Sequence, residues 1–197
     1  MYDYQHFFEK GLQQLAKCKV VYDVGGGKPF QKGMEKYKKM FANVNFKTID
    51  VDPNYEPDIV GDIHNLPLND GSADGVLCLS VLEHISEPKK AVQEMHRILR
   101  KDGIFLGWVP SIYPYHARKG VYPDNYRYFD DGLKTLFKDF SSVTVHNTGG
   151  YFETMLYFLP AQNLARTLLQ KSAYYLDRIL RTHKKTVTRG FYILAKK

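Results

Sequence analysis

At 197 residues the chain has the size of one domain with a full hydrophobic core, and its 44% hydrophobic and 25% charged content excludes a disordered or low-complexity protein. Its two cysteines, Cys18 and Cys78, form no CxxC pair and no Cys/His cluster, which excludes a disulfide framework and a zinc-finger-type site. The net charge of +7 suits an acidic partner and is concentrated between Pro160 and Lys197, where nine basic residues, among them Arg166, Lys171, Arg178, Arg181, Lys184 and Lys185, face the single acid Asp177.

Phe7, Phe8, Leu12 and Leu15 recur near helical spacing and predict a helix within 1–18. Met1 to Lys10 mixes Asp3, His6 and Glu9 with aromatics, unlike the basic-then-apolar order of a secretory signal, so a cytoplasmic protein is expected. Val20-Val21-Tyr22 begins a strand that runs into Gly25-Gly26-Gly27. Pro29 in a first helical turn, followed by Met34, Tyr37, Lys38 and Phe41, predicts a helix after the glycines. Further strands are expected at Phe46 to Ile49, Ile59-Val60 and Gly75 to Leu79. The last is almost wholly apolar, as befits a central parallel strand buried on both faces.

Ser86 and Pro88 open a helix with Ala91, Val92, Met95, Ile98 and Leu99 on one face and Gly103 just past its end. A strand follows at Ile104 to Val109, then an aromatic stretch, Tyr113 to Tyr128, too long for a plain connector and therefore a candidate lid. Asp130 to Phe140 reads as helix, Val143 to His146 and Phe191 to Leu194 as strands. Between those strands, 151–188 reads as a helical insertion with Leu164, Leu168, Leu176 and Leu180 on one side. The alternation predicts an α/β fold: a Rossmann-like three-layer sandwich in a single domain, made of the N-terminal helix (1–18), a ligand-binding core (19–150), the insertion (151–188) and a strand at 189–197.

Asp23-Val24-Gly25-Gly26-Gly27 is a strand-to-glycine turn that brings backbone N–H groups close to a ligand. Phe30 stands where a dinucleotide fold needs a third glycine, and an acid before the glycines repels a pyrophosphate, so NAD is disfavoured. That acid suits a ligand bearing an ammonium group, as S-adenosylmethionine does. Asp50, 23 to 25 residues after the glycines, stands where a carboxylate accepts from both ribose hydroxyls, with Asp52 as the alternative and Val51 between them. Asp62 and Ile63 end the third strand, where an acid can meet the adenine amine while an aliphatic side chain packs on the ring. Each acid alone is equally readable as a turn or cap residue; the three at successive strand ends make the pattern.

The stretches VYDVGGGKPF (21–30), TIDVDP (48–53), DIVGDIHNLPLNDGSADGVLCLSVLEHISEP (58–88) and EMHRILRKDGIFLGWVP (94–110) carry a resemblance. In order and spacing, the run from Val20 to about Gly150 resembles the class I S-adenosylmethionine-dependent methyltransferases, methyltransferase type 11 group. The resemblance implies a seven-stranded, mostly parallel sheet with the last strand antiparallel, S-adenosylmethionine as cofactor (S-adenosylhomocysteine as product), cofactor contacts at Asp23, Gly25, Gly26, Gly27, Asp50, Val51, Asp62 and Ile63, and a cofactor-facing segment at Leu79-Ser80. PSIYPYHARKGVYPDNYRYFDDGL (110–133) resembles a narrower subgroup associated with surface-polysaccharide and lipopolysaccharide pathways, from which this chain departs by its helical, basic insertion.

Methyl transfer is an in-line displacement, so alignment and exclusion of water outrank any single base. A hydroxyl acceptor still benefits from a base, and His84 and His116 are the candidates, with Tyr113, Tyr126 and Arg127 as acceptor-binding residues. His84 reads equally as a packing residue that shapes the pocket, whereas a functional role is favoured for His116 because Tyr113, Tyr115, Tyr126 and Arg127 surround it in sequence. Glu83-His84 alone make no metal cage, so no metal is expected. O-methylation of a sugar, glycan or other small molecule is the leading expectation; C- or N-methylation of a quinone-like molecule, RNA methylation, and a non-catalytic cofactor-binding homologue are the alternatives. Ser80-Val81-Leu82-Glu83 lacks the Asn/Asp-Pro-Pro-aromatic motif of enzymes that methylate base amines, which argues against a nucleic-acid acceptor. The insertion is compatible with peripheral membrane contact or with a homodimer.

Overall fold

A computed structural model describes residues 2–31, 33–159, 163–184 and 187–197, with the backbone alone for 163–167. Seven strands form one sheet: β1 (Val20–Val24), β2 (Asn45–Asp50), β3 (Ile59–Val60), β4 (Ala73–Leu79), β5 (Leu99–Pro110), β6 (Ser142–Asn147) and β7 (Gly190–Lys196). Their order is β3-β2-β1-β4-β5-β7-β6. β1 to β5 pair in parallel, and β7 runs antiparallel to both β5 and β6, as expected.

Strand alternation sorts the core into two layers. Val21 of β1 and Leu77 of β4 join Phe8, Leu12 and Leu15 of helix α1 (Asp3–Leu15) on one face. Tyr22, Val24, Val76 and Cys78 point to the other, where α2 (Pro88–Ile98) contributes Ala91, Val92, Met95 and Ile98 and α3 (Asp130–Leu136) contributes Leu133. Each fully buried Leu, Ile or Phe in these layers stabilises the fold by about 1.5–3 kcal/mol relative to exposure. The chain leaves β1 toward β2 on one side and returns to β4 on the other, so a crevice opens between the carboxyl ends of β1 and β4.

Three local expectations are corrected. After the glycine turn the backbone forms bends and then a 3-10 helix, Glu35–Phe41, in place of an α-helix. Phe30 at φ 57° and Gly33 at φ 90° are left-handed and interrupt a helix, and Phe30 instead stacks on Phe46 with centroids 4.4 Å apart. α2 passes directly into β5, with Gly103 inside that strand; the carbonyls of His96 and Leu99 at its end accept from Lys197 Nζ, both at 2.7 Å, a distant cation doing what a C-terminal glycine was expected to do. α3 stops at Leu136 because Phe137 and Phe140 turn inward to the core.

The insertion is helical: α4 (Tyr151–Met155), a 3-10 turn (Leu156–Phe158), α5 (Asn163–Ile179) and a second 3-10 turn (Thr182–Lys184). It docks through polar groups. Asp177 of α5, fully buried, accepts the N–H groups of Phe152 and Glu153, both at 3.0 Å, and the Thr182 hydroxyl. Glu153 in turn accepts from Tyr4 at 3.1 Å and Gln170 at 2.6 Å, tying the insertion to α1. Leu168, Leu176 and Leu180 are exposed, together with Ile179, so the apolar side does not pack on the domain. The Leu164 and Arg166 side chains, and Pro160 and Lys185, lie outside the described residues.

Candidate active site

β1 delivers Asp23, 7% exposed, to the edge of the crevice and then turns. Gly25 has φ 78° and donates its N–H to the Ile49 carbonyl at 2.7 Å, which ties the turn to β2. A Cβ at Gly25 would lie 2.3 Å from Val81 Cγ2, and one at Gly26 2.3 Å from Asp23 Oδ2. Glycine is therefore required on steric grounds as well as for backbone freedom. Beside the turn is a cavity of about 650 Å³ walled by Asp23, Gly25, Gly26, Leu79, Ser80 and Trp108, with Phe8 and Tyr37 on the α1 side. This size suits a cofactor. Ser80 sits at φ 56° and donates its N–H to Trp108 O at 3.0 Å, so a strained non-glycine residue forms part of the wall.

Gly27, at φ 59°, borders Tyr55. Asp50 ends β2 and Asp62 follows β3, its neighbour in the sheet, but neither these acids nor Val51 and Ile63 are among the residues that wall the cavity. The Asp50 carboxylate accepts from Asp52 N–H at 3.1 Å. Asp62 accepts the His64 backbone N–H at 2.9 Å, which holds its carboxyl below the usual range. Val51 is 68% exposed, whereas Ile63 is buried in the core; the apolar surface expected of Ile63 is taken up by packing.

The segment after β4 and the aromatic loop 111–129 are laced together. Asn125 and Tyr126 donate backbone N–H groups to Glu83 O at 2.7 and 3.2 Å, and the Tyr128 hydroxyl donates to Leu82 O at 2.7 Å. Two expected acceptor-binding residues belong to this lacing. Tyr126 donates its hydroxyl to Ser86 O at 2.8 Å, and the Arg127 guanidinium is held by Asp124 at 2.5 and 2.7 Å and by the carbonyls of Tyr113 and Pro114. Those bonds pull the Asp124 carboxyl down to about 2. Tyr113 remains at the crevice: its ring lies 5.9 Å from Trp108 and 5.2 Å from His116.

The rings of His84 and His116 meet edge to face at 4.9 Å. His84 Nδ1 lies 2.7 Å from Pro123 O, and His116 Nδ1 lies 3.1 Å from Pro114 O and 3.2 Å from Asp124 Oδ2. Those oxygens only accept, so each neutral ring carries its proton on Nδ1 and keeps a lone pair on Nε2. Both Nε2 atoms face Glu83, at 3.8 Å for His84 and 3.6 Å for His116. Burial pushes the Glu83 carboxyl up to about 7 and His84 downward. Leu79-Ser80 lies on the cavity wall as the sequence suggests, whereas Trp108, and Glu83 as a partner of both histidines, are not singled out there; the position of Glu83 just past a strand end is its one signal.

Fold and crevice together are those of a Rossmann-like α/β domain. Residues 22–107 match the methyltransferase domain model Methyltransf_11. In solved structures the fold recurs in a SAM-dependent methyltransferase from Archaeoglobus fulgidus (TM-score 0.64, 14% identity, 98% of this chain and 93% of that one). It recurs too in phosphoethanolamine N-methyltransferase 2 from Haemonchus contortus in complex with S-adenosyl-L-methionine (TM-score 0.59, 15% identity, 96% of this chain and 52% of that one). In sequence the chain is 33% identical over 69 residues to the thiol S-methyltransferase TMT1B of Homo sapiens, covering 33% of this chain. It spans 28% of that enzyme's length and 13% of that of a second curated relative, a transposon protein of Streptomyces fradiae.

Proposed function

We propose that the chain transfers the methyl group of S-adenosylmethionine to a hydroxyl oxygen of a small acceptor, a sugar or glycan unit being the favoured class, held beneath loop 111–129. The observation that carries this reading is the His84–His116 pair, joined to the crevice wall by the ring sequence Trp108, Tyr113, His116. The cradle fits the cofactor: Gly25 and Gly26 leave room that any Cβ would fill, and Asp23 offers an acid for the ammonium. The nucleoside end is assigned to Asp50, which ends β2, and Asp62, which follows β3, both outside the cavity wall. When bound, S-adenosylmethionine supplies a methyl carbon already activated by its sulfonium.

The protein's own part is positioning and proton handling. Alignment of donor and acceptor is worth up to ~7–11 kcal/mol, and the laced loop keeps Tyr113 and His116 beside the crevice while excluding water. His116 Nε2 is the atom available to the acceptor's hydroxyl proton, and with 29% of its side chain exposed it can return that proton to solvent. C- or N-methylation needs no such pair of rings, which favours oxygen as the acceptor atom.

The test is incubation of the protein with S-adenosylmethionine and candidate sugars, nucleotide sugars and glycans, with mass-spectrometric detection of methylated product. His116→Ala is expected to lower turnover by about 10²–10⁴-fold while leaving S-adenosylhomocysteine affinity unchanged. Unaltered turnover with the accepted substrate would remove His116 from the mechanism.

A second reading concerns the insertion. Exposed Leu168, Leu176, Ile179 and Leu180 with exposed Lys171, Arg178, Arg181 and Lys184 support peripheral contact with an anionic lipid surface. No helix among the described residues is long and apolar enough to cross a membrane. Co-sedimentation with vesicles is expected to rise with phosphatidylserine content; equal sedimentation with neutral vesicles would end this reading.

A further inference from the structure

Glu83 presents a chemical problem that methyl transfer alone does not resolve. Its side chain is fully buried, and neither carboxylate oxygen has a hydrogen-bond partner. A buried carboxylate without a donor is strongly disfavoured: such a group takes up a proton, is paired, or holds a cation. The atoms nearest to it make the choice. They are the Nε2 atoms of His84 and His116, lone-pair donors whose protons sit on the opposite nitrogen, so three electron-pair donors converge within 4.8 Å of one another and neither ring offers the carboxylate a proton.

We propose that Glu83, His84 and His116 form a three-ligand site for a divalent transition-metal ion. Two imidazole nitrogens and one carboxylate are the donor set preferred by ions of the manganese-to-zinc series. Ligands bonded at about 2.0–2.1 Å in a tetrahedral set stand roughly 3.4 Å apart. The 3.8 and 3.6 Å separations from Glu83 Oε1 need to close by a few tenths of an ångström, and the pair of histidine nitrogens, within 4.8 Å of each other, by up to about 1.4 Å, a shift within reach of the loop that carries His116. The outer groups are in place as well: the Pro123 carbonyl fixes the His84 ring, and Asp124 and the Pro114 carbonyl fix His116, the backing that metal-bound histidines require.

Three protein ligands leave positions open for oxygen donors. This part rests on the methyl-transfer reading: an acceptor hydroxyl bound there would lose its proton to solvent more readily, and His116, its Nε2 then held by the ion, would act through the ion in place of taking the proton itself. An acceptor with two neighbouring oxygens, such as a vicinal diol, fits two open positions best.

The test uses the full chain stripped with chelator and dialysed, without cofactor or acceptor. Titration with Zn²⁺ is followed by calorimetry and with Co²⁺ by visible absorption. About one ion per chain is expected to bind, with His116→Ala and Glu83→Gln weakening binding by about 100-fold or more and exposed His6→Ala having no effect. His116 lies on a surface loop, so its variant reports the site even if Glu83→Gln misfolds. Absence of saturable binding, or His116→Ala binding as tightly as wild type, overturns the site. A separate S-adenosylhomocysteine titration on the same stripped protein reports the cofactor crevice independently, so failure of either reading is seen without the other.

Discussion

Gly26→Ala is expected to weaken S-adenosylhomocysteine binding by about 100-fold, near 2.7 kcal/mol. The new methyl group would stand 2.3 Å from Asp23 Oδ2 and 2.5 Å from its Cγ, and Asp23 is too enclosed to retreat without leaving the cavity wall. The substitution thus displaces the acid expected to meet the cofactor's ammonium and fills part of the space its amino-acid tail needs. Because Gly26 is in a surface turn, the melting temperature is expected to change little. Calorimetric titration and a thermal melt check the two halves; affinity within about threefold of wild type would show that the cradle is not where the cofactor's tail lies.

The second large effect concerns stability. Asp177→Ala removes the fully buried acceptor for two backbone N–H groups at the start of α4 and for the Thr182 hydroxyl, the Glu153 N–H being buried and the other two donors partly so. Each unsatisfied buried donor costs about 1–3 kcal/mol, so a loss of roughly 3 kcal/mol is expected. For a chain of this size that lowers the melting temperature by roughly 6–12 °C. Cofactor affinity, set at the far end of β1, is expected to survive at temperatures where the variant is folded. A shift below about 2 °C would mean that α4 and α5 are held together by something other than this carboxylate.

The strands were legible in the sequence because their chemistry is local. Val76 to Leu79 is apolar on both faces, and each of β1, β2 and β3 leads into a turn or an acid. The segment after the glycines was misread because Met34, Tyr37 and Phe41 satisfy the spacing of an α-helix, while the left-handed backbone at Phe30 and Gly33 that prevents one is set by packing against Phe46. Gly103 was taken as a helix terminator because the actual partner of the α2 carbonyls, Lys197, lies about 100 residues away.

The site divides in the same way. Asp23 and the glycines announce themselves by position, and Asp23, Gly25 and Gly26 share one cavity wall, with Gly27 just outside it. His84 and His116 were each suspected separately, yet their approach across 32 residues, with Glu83 as the third member, depends on the loop being pinned to the end of β4. Arg127 shows the opposite error. An arginine among tyrosines suggests an anion site, but its guanidinium here organises the loop through Asp124.

β7 lies between β5 and β6 and hydrogen-bonds along both, although about forty residues separate it in the chain from the nearer of the two. Without residues 190–196 the edge strand β6 is cut off from the rest of the sheet, leaving two facing rows of unsatisfied backbone groups on β5 and β6. On the ribosome, β5 and β6 must therefore wait, exposed, through the synthesis of the whole helical insertion before the strand that joins them emerges. A nascent chain stalled before Gly190 should thus be a chaperone client, and release of that strand the moment at which protease resistance appears.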